Sequence, residues 1–229
     1  MPKPAAPRSL WSIRGIVPFF SIGFLNAFND IGLKTLLYDA VQKALPPGPQ
    51  LVAYQSVLQA LVLIPFVAFF TPSGYLSDKW PKDRVIRWSA FAALPFAVAL
   101  VAAFHLGSWN AAFWLLLLLA AQAAFYSPSK YGFVKELVGN HNLAEANSVI
   151  QGLTIVAILL SSFLYSIFFE WFYQAGTRDL GIILHQIRWA SWPLLGGFVL
   201  EWLLSLRVPR IGKTDPVEQG DCRLAGIGP

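Results

Sequence analysis

Apolar residues run along this chain in long, nearly unbroken stretches rather than in strict alternation. Six of these, at 16–38, 51–71, 88–106, 110–132, 146–173 and 190–207, have the roughly 18–25 residues that an α-helix needs to cross a bilayer. The pattern predicts an all-α membrane protein with six transmembrane helices, the fifth long enough to tilt or to extend past the hydrocarbon. Turn and cap residues fall between the stretches: PPGP at 46–49, TPSG at 71–74 and LGSWN at 106–110. The chain thus divides into an N-terminal segment, 1–15, a six-helix domain, 16–208, and a polar tail, 209–229.

The informative positions are those that break the apolar pattern. The first stretch contains SIGFLNAFNDIGLKTLLY, with Asn26, Asn29, Asp30 and Lys34. Asn26, Asp30 and Lys34 are four apart and stack along one face of a helix. A charge at the bilayer centre costs at least about 2.5–3.5 kcal/mol and ordinarily faces a bundle interior or a water-filled path. Two readings are open: Asp30 and Lys34 neutralise each other as a structural ion pair, or they line a substrate or ion pathway. Other stretches carry similar stripes: Gln122, Tyr126 and Lys130 in the fourth, Asn147, Gln151, Thr154 and Ser161 in the fifth, Gln55 and Gln59 in the second. One stripe alone would be interhelical glue, whereas four on four helices suggest the wall of a cavity. Glu170 is expected to reach the interface, while Glu201 lies deeper and has either a partner or a role.

Composition agrees with the pattern. Of 229 residues, 56% are hydrophobic and 13% charged, against about a quarter charged in soluble domains. The net charge of +5 could suggest nucleic acid, but its distribution explains it better. Thirteen Lys and Arg fall at the ends that share one side of the membrane, and only Lys43, Arg178 and Arg188 at the other. This positive-inside bias predicts that both termini are cytoplasmic. The start, MPKPAAPRSLWSIR, leads into a run of spanning length, so no cleavable signal peptide is expected. The lone Cys222 and the scattered His105, His141 and His185 provide no metal-ligand spacing, and no metal or cofactor is expected.

The loop GYLSDKWPKDRVIR at 74–87 has glycine, aspartate four residues later, and then a basic cluster. This order resembles the loop between helices two and three of the major facilitator superfamily, matched here by Gly74, Asp78, Lys82 and Arg84, with Pro81 where the family often has glycine. The resemblance implies a conformational latch that does not touch substrate, and the glycine would permit close helix approach. FLNAFNDIGLK at 24–34, YSPSKYGFVKEL at 126–137 and LAEANSVIQGLTIVAILLSS at 143–162 are similar, in order, to the bacterial lysophospholipid transporter branch of that superfamily. Some members of that branch are fused to acyltransferase and acyl-carrier-protein ligase domains. The resemblance implies a flippase-like carrier of lysophosphatidylethanolamine and related lipids, from the outer to the inner leaflet of a bacterial inner membrane, for reacylation. On that basis Asp30 meets the head-group ammonium, Asn26 and Asn29 donate and accept hydrogen bonds, and Lys34 is a phosphate partner. Tyr126, Lys130 and Glu136 provide gating or phosphate contacts, Glu136 being grouped with the latch, and Gln122, Asn147 and Gln151 complete the substrate-binding set.

Six spans make one half of a facilitator, whose path runs between two halves near the midplane. The chain is therefore expected to be an amino-terminal half whose polar tail is a truncated linker. The alternatives are two parallel copies forming one carrier, a half serving another small amphiphile, or a non-transporting membrane scaffold. Expected partners are the lipid substrate, membrane lipids, a second six-helix half or a second copy, and a lysophospholipid acyltransferase. An enzyme is not expected: no acyltransferase His-x-x-x-x-Asp element, nucleophile elbow or phosphate loop is present, and His141 with Glu145 reads as helix-end capping.

Overall fold

The computed structural model describes residues 9–210. The first eight residues and most of the expected tail, with Cys222, lie outside the described residues. Among the described residues every regular element is helical: a 3-10 turn at Leu10–Ser12, then α1 (Ile16–Ala44), α2 (Pro49–Ala68), α3 (Phe70–Lys79), α4 (Lys82–His105), α5 (Trp109–Val138), α6 (Leu143–Phe172), α7 (Leu180–Gln186), a 3-10 turn at Arg188–Ala190, and α8 (Ser191–Ser205). Five helices, α1, α2, α4, α5 and α6, are long and apolar enough to cross a membrane.

The sixth expected span, 190–207, is shorter than the apolar run suggests. Helix α8 has 15 residues, about 22 Å at 1.5 Å per residue, less than the hydrocarbon thickness. The run is α8 with Ala190 before it and Leu206 and Arg207 after it, and the backbone ahead of it is broken into α7 and a 3-10 turn.

Two expected loops are also helical. TPSG at 71–74 lies within α3, which follows α2 after a break at Phe69. Pro72 cannot donate the hydrogen bond that would carry the helix through, and it is tolerated in the first turn of α3. Most of the supposed loop 74–87 is the end of α3 and the start of α4, separated by Trp80 and Pro81. A helix satisfies its own backbone in water as in lipid, so it continues past the apolar run whose ends set the sequence boundary. The Leu106–Ser108 turn forms as expected. Gly107 is in the left-handed region (φ 62°), and a Cβ there would lie 2.6 Å from the Gly181 carbonyl oxygen.

Packing centres on α1, which lies against α6 and α8, while α4 packs between α5 and α8, and α5 also meets α2 and α3. The α1–α6 contact is close because Gly32 receives the ring of the buried Tyr165. Ser161 Oγ donates to the Phe28 carbonyl at 2.5 Å, and Ser166 Oγ to Asp39 Oδ2 at 2.9 Å. In lipid such packing and polar contacts, rather than expulsion of water, hold helices together. Buried apolar side chains form two clusters. One contains Leu33, Leu37, Leu100, Leu116, Phe169 and Phe198, and the other Phe19, Ile22, Ile86, Phe133 and Ile150. Helices α2 and α6 bury only 17% and 22% of their most apolar windows, against 50% for α1, so both keep an open face.

Candidate functional site

Between the two apolar clusters lies a polar belt. On α1 the lower cluster ends at Ile22 and the upper begins at Leu33, and Asn26, Asn29 and Asp30 occupy the interval. On α5 the upper cluster stops at Leu119 and the lower starts at Tyr126, with Lys130 one turn further along the same helix. On α8, Glu201 follows Phe198, the last residue of that helix in the upper cluster.

The belt is tightly enclosed. Asn29 is fully buried, and Glu201 and Tyr126 are each 2% exposed. Asn26 and Asn29 face the Glu201 carboxylate without reaching it in hydrogen-bond geometry. The Lys130 ammonium lies within Coulombic range of both Asp30 and Glu201. Among the described residues, Asn26 Nδ2, both amide atoms of Asn29, the Tyr126 hydroxyl and Glu201 Oε2 are buried without a hydrogen-bond partner. Asp30 is half-buried and, with Asn29, lines a cavity of about 20 Å³ closed by Leu33, Leu116 and Phe198.

Two glycines allow this approach. A Cβ at Gly197 would lie 2.1 Å from Asn29 Oδ1, so α8 can bring Glu201 against α1 only because residue 197 has no side chain. A Cβ at Gly23 would lie 3.1 Å from Lys130 Cε, so the lysine stem crosses α1 there.

The sequence candidates separate into groups. Asn26, Asn29, Asp30, Tyr126 and Lys130 come together, and Glu201, left open by the sequence, joins them. Lys34 is half-buried one turn beyond the belt, and Asp30 and Lys34 form no ion pair, so the neutralised-pair reading is not realised. Lys130, counted in the sequence with the charges at the basic end, is instead buried in α5. Gln122 turns away to α4, where its Nε2 donates to the Ser89 carbonyl at 3.0 Å and to Ser89 Oγ at 2.5 Å. Asn147 is half-buried on α6, and the exposed Gln151 donates to the Tyr131 hydroxyl at 3.4 Å. Glu170 pairs with Lys43 at 2.7 Å at the far end of the bundle.

At the basic end, Lys82 of α4 pairs with Glu136 of α5. Its stem passes over Gly132, where a Cβ would lie 2.6 Å from Lys82 Cε, which accounts for the glycine closing Tyr-Ser-Pro-Ser-Lys-Tyr-Gly. Asp78 and Arg84 are exposed, and a Cβ at Gly74 would meet nothing within 4 Å, so close approach is not what this glycine provides. The sequence reading missed Arg87, which donates to the Ser205 carbonyl at 3.2 Å and the Val208 carbonyl at 2.6 Å, tying α4 to the end of α8. Because the Lys82–Glu136 pair is partly exposed, Glu136→Gln is expected to cost less than about 1 kcal/mol, measured by thermal unfolding at low and high salt.

Comparison with known proteins gives the site a context. The chain is 30% identical over 163 residues to the lysophospholipid transporter LplT of Enterobacter sp. (strain 638), a stretch covering 71% of the chain and 38% of that relative. It is 28% identical over 163 residues to the protein of the same name from Citrobacter koseri, with the same coverage. With that of Yersinia pestis (strain Pestoides F) it is 31% identical over 164 residues, 71% of the chain and 37% of the relative. The matched stretch thus spans well under half the length of these curated relatives. No protein-family profile and no solved structure matches the chain. Over 71% of its length, this chain of apolar helices is similar to proteins named lysophospholipid transporter, whose branch its polar motifs resemble.

Proposed function

We propose that the chain forms the amino-terminal half of a major-facilitator-type carrier that moves lysophospholipids such as lysophosphatidylethanolamine from the outer to the inner leaflet of a bacterial inner membrane, for reacylation. The observation that carries this reading is the belt of Asn26, Asn29, Asp30, Tyr126, Lys130 and Glu201 inside an apolar bundle. Each unpartnered buried polar group costs about 1–3 kcal/mol, so the belt is suited to a ligand that supplies complementary groups. Two carboxylates and one ammonium complement a zwitterionic head group: its ammonium faces Asp30 and Glu201, and its phosphate faces Lys130. Charge-assisted hydrogen bonds of this kind are about twice as strong as neutral ones. A single acyl chain can stay in apolar surroundings. Lys34, Gln122, Asn147 and Gln151 lie outside the belt and would meet the lipid only along its path.

The open faces of α2 and α6 support a partner half. Polar Gln59 on α2 is exposed there, and lipid would leave such a group unsatisfied. A second copy of the chain could cover the same faces. Lys82–Glu136 and Arg87 would act as a latch at a cytoplasmic end, consistent with the basic charge of the segments there.

The test is uptake of lysophosphatidylethanolamine by vesicles holding the protein as isolated, at its native mass, from its own membrane. The lipid is expected to reach the inner leaflet several times faster than in protein-free vesicles. Equal rates, with no binding of the lipid to the protein, would overturn the reading. The native mass distinguishes a carrier completed in one chain from one assembled from two copies.

A further inference from the structure

Two cavities meet along α4 at the basic end of the bundle, away from the residues of the belt. One, of about 680 Å³, lies between the first turns of α4 and the end of α8 and is walled by Arg84, Arg87, Arg210, Phe91 and Trp202, with Asp83. The other, of about 610 Å³, runs between α4 and α5 past Val85, Ala92, Phe96, Leu118 and Phe125. They share Trp80 and Trp88, so a cationic cavity leads directly into an apolar one.

The polar groups sort by whether they are already engaged. Ser89 and Gln122, the polar side chains of the apolar cavity, are hydrogen-bonded to each other. Arg87 is committed to the carbonyls at the end of α8 and lies 3.9 Å from Asp83. Arg84 and Arg210 are exposed. The cationic cavity therefore keeps a positive excess, with two guanidinium groups available for an anion.

We propose that these joined cavities bind an anionic phospholipid of the surrounding membrane, with its phosphate on Arg84 and Arg210 and an acyl chain in the groove beyond Trp88. The guanidinium fork matches phosphate geometry, and basic pockets between helices at a membrane surface hold anionic head groups. Indole rings such as those of Trp80, Trp88 and Trp202 favour the depth where head groups begin. A free phosphate would leave the apolar groove unused, and an apolar molecule would leave the arginines unused. A choline or ethanolamine lipid would place a cation among arginines, so an anionic glycerol head group fits best. This site is separate from the belt and does not depend on whether the protein carries lysophospholipids.

The test is native mass spectrometry of the protein equilibrated with equal amounts of phosphatidylglycerol and phosphatidylcholine bearing the same chains. The wild type is expected to retain phosphatidylglycerol preferentially, on the order of tenfold. Arg84→Gln should reduce that preference about fivefold, and Arg84→Gln with Arg210→Gln should bring it near parity. Both side chains are exposed, and circular dichroism checks that helix content is kept. Trp88→Ala should lower phosphatidylglycerol retention severalfold, and Asp30→Asn should leave the preference intact. Equal retention of both lipids by the wild type, unchanged preference in the double variant, or displacement of the lipid by millimolar inorganic phosphate would each overturn the proposal.

Discussion

Replacing Asp30 by asparagine is expected to cut lysophosphatidylethanolamine uptake about 10–100-fold while the protein remains folded. Asparagine keeps the size and hydrogen-bonding capacity of the side chain but removes its charge. The loss expected is that of one charge-assisted contact to the head-group ammonium, worth about 1.5–3 kcal/mol. Asp30 has no ion pair among the described residues, so the change deprives no salt-bridge partner. Thermal unfolding in detergent should therefore shift little. Wild-type uptake in the variant would rule out Asp30 as a head-group ligand. A large fall in unfolding temperature would instead assign the carboxylate to the architecture, through Lys130.

Gly32→Ala is expected to lower stability by about 1–3 kcal/mol, although alanine is the better helix former. A Cβ at residue 32 would lie 2.3 Å from Tyr165 Cε2 and 2.5 Å from its Cδ2. The ring cannot easily retreat: it is fully buried, with Phe28 at 5.6 Å and Phe168 at 5.8 Å between ring centroids. Helices α1 and α6 must separate, and the hydrogen bond from Ser161 to the Phe28 carbonyl stretches with them. Gly74→Ala is the matched control, because a Cβ there meets nothing within 4 Å. It should be neutral or stabilising by up to about 1 kcal/mol, the propensity gain alone. Thermal unfolding of the two variants side by side checks both signs. Equal shifts would mean that the α1–α6 contact is looser than the buried ring indicates.

How far the sequence could be read follows from what each signal measures. Apolar runs report insertion into lipid, so the five long helices were legible and their polar ends were not. The helices around 74–87 and at the start of α4 continue into polar residues, where hydropathy gives no signal. The break before α8 falls where the expected span begins, at 190, and what hydropathy did not show is that the helix itself has only 15 residues. Asp30 was legible because a carboxylate in an apolar run is costly wherever the helix packs. The resemblance to transporters likewise lay in short motifs, and the curated relatives match it.

The stripes were only half legible. Residues four apart on a helix advance about 40° beyond a full turn, so a stripe of three fans over about 80°. Gln122 and Lys130 belong to one stripe, yet the first meets Ser89 on α4 and the second faces Asp30 and Glu201. The same drift carries Lys34 away from Asn26. The sequence by itself determined that this is a bundle of apolar helices with costly polar groups inside, because insertion into lipid depends on local composition. Only the tertiary structure decided which of those groups meet. Glu201 stands more than 170 residues after Asp30 in the chain, and it comes to face Asn26 and Asn29 because Gly197 lets α8 close on α1, a relation between two surfaces that neither helix carries alone.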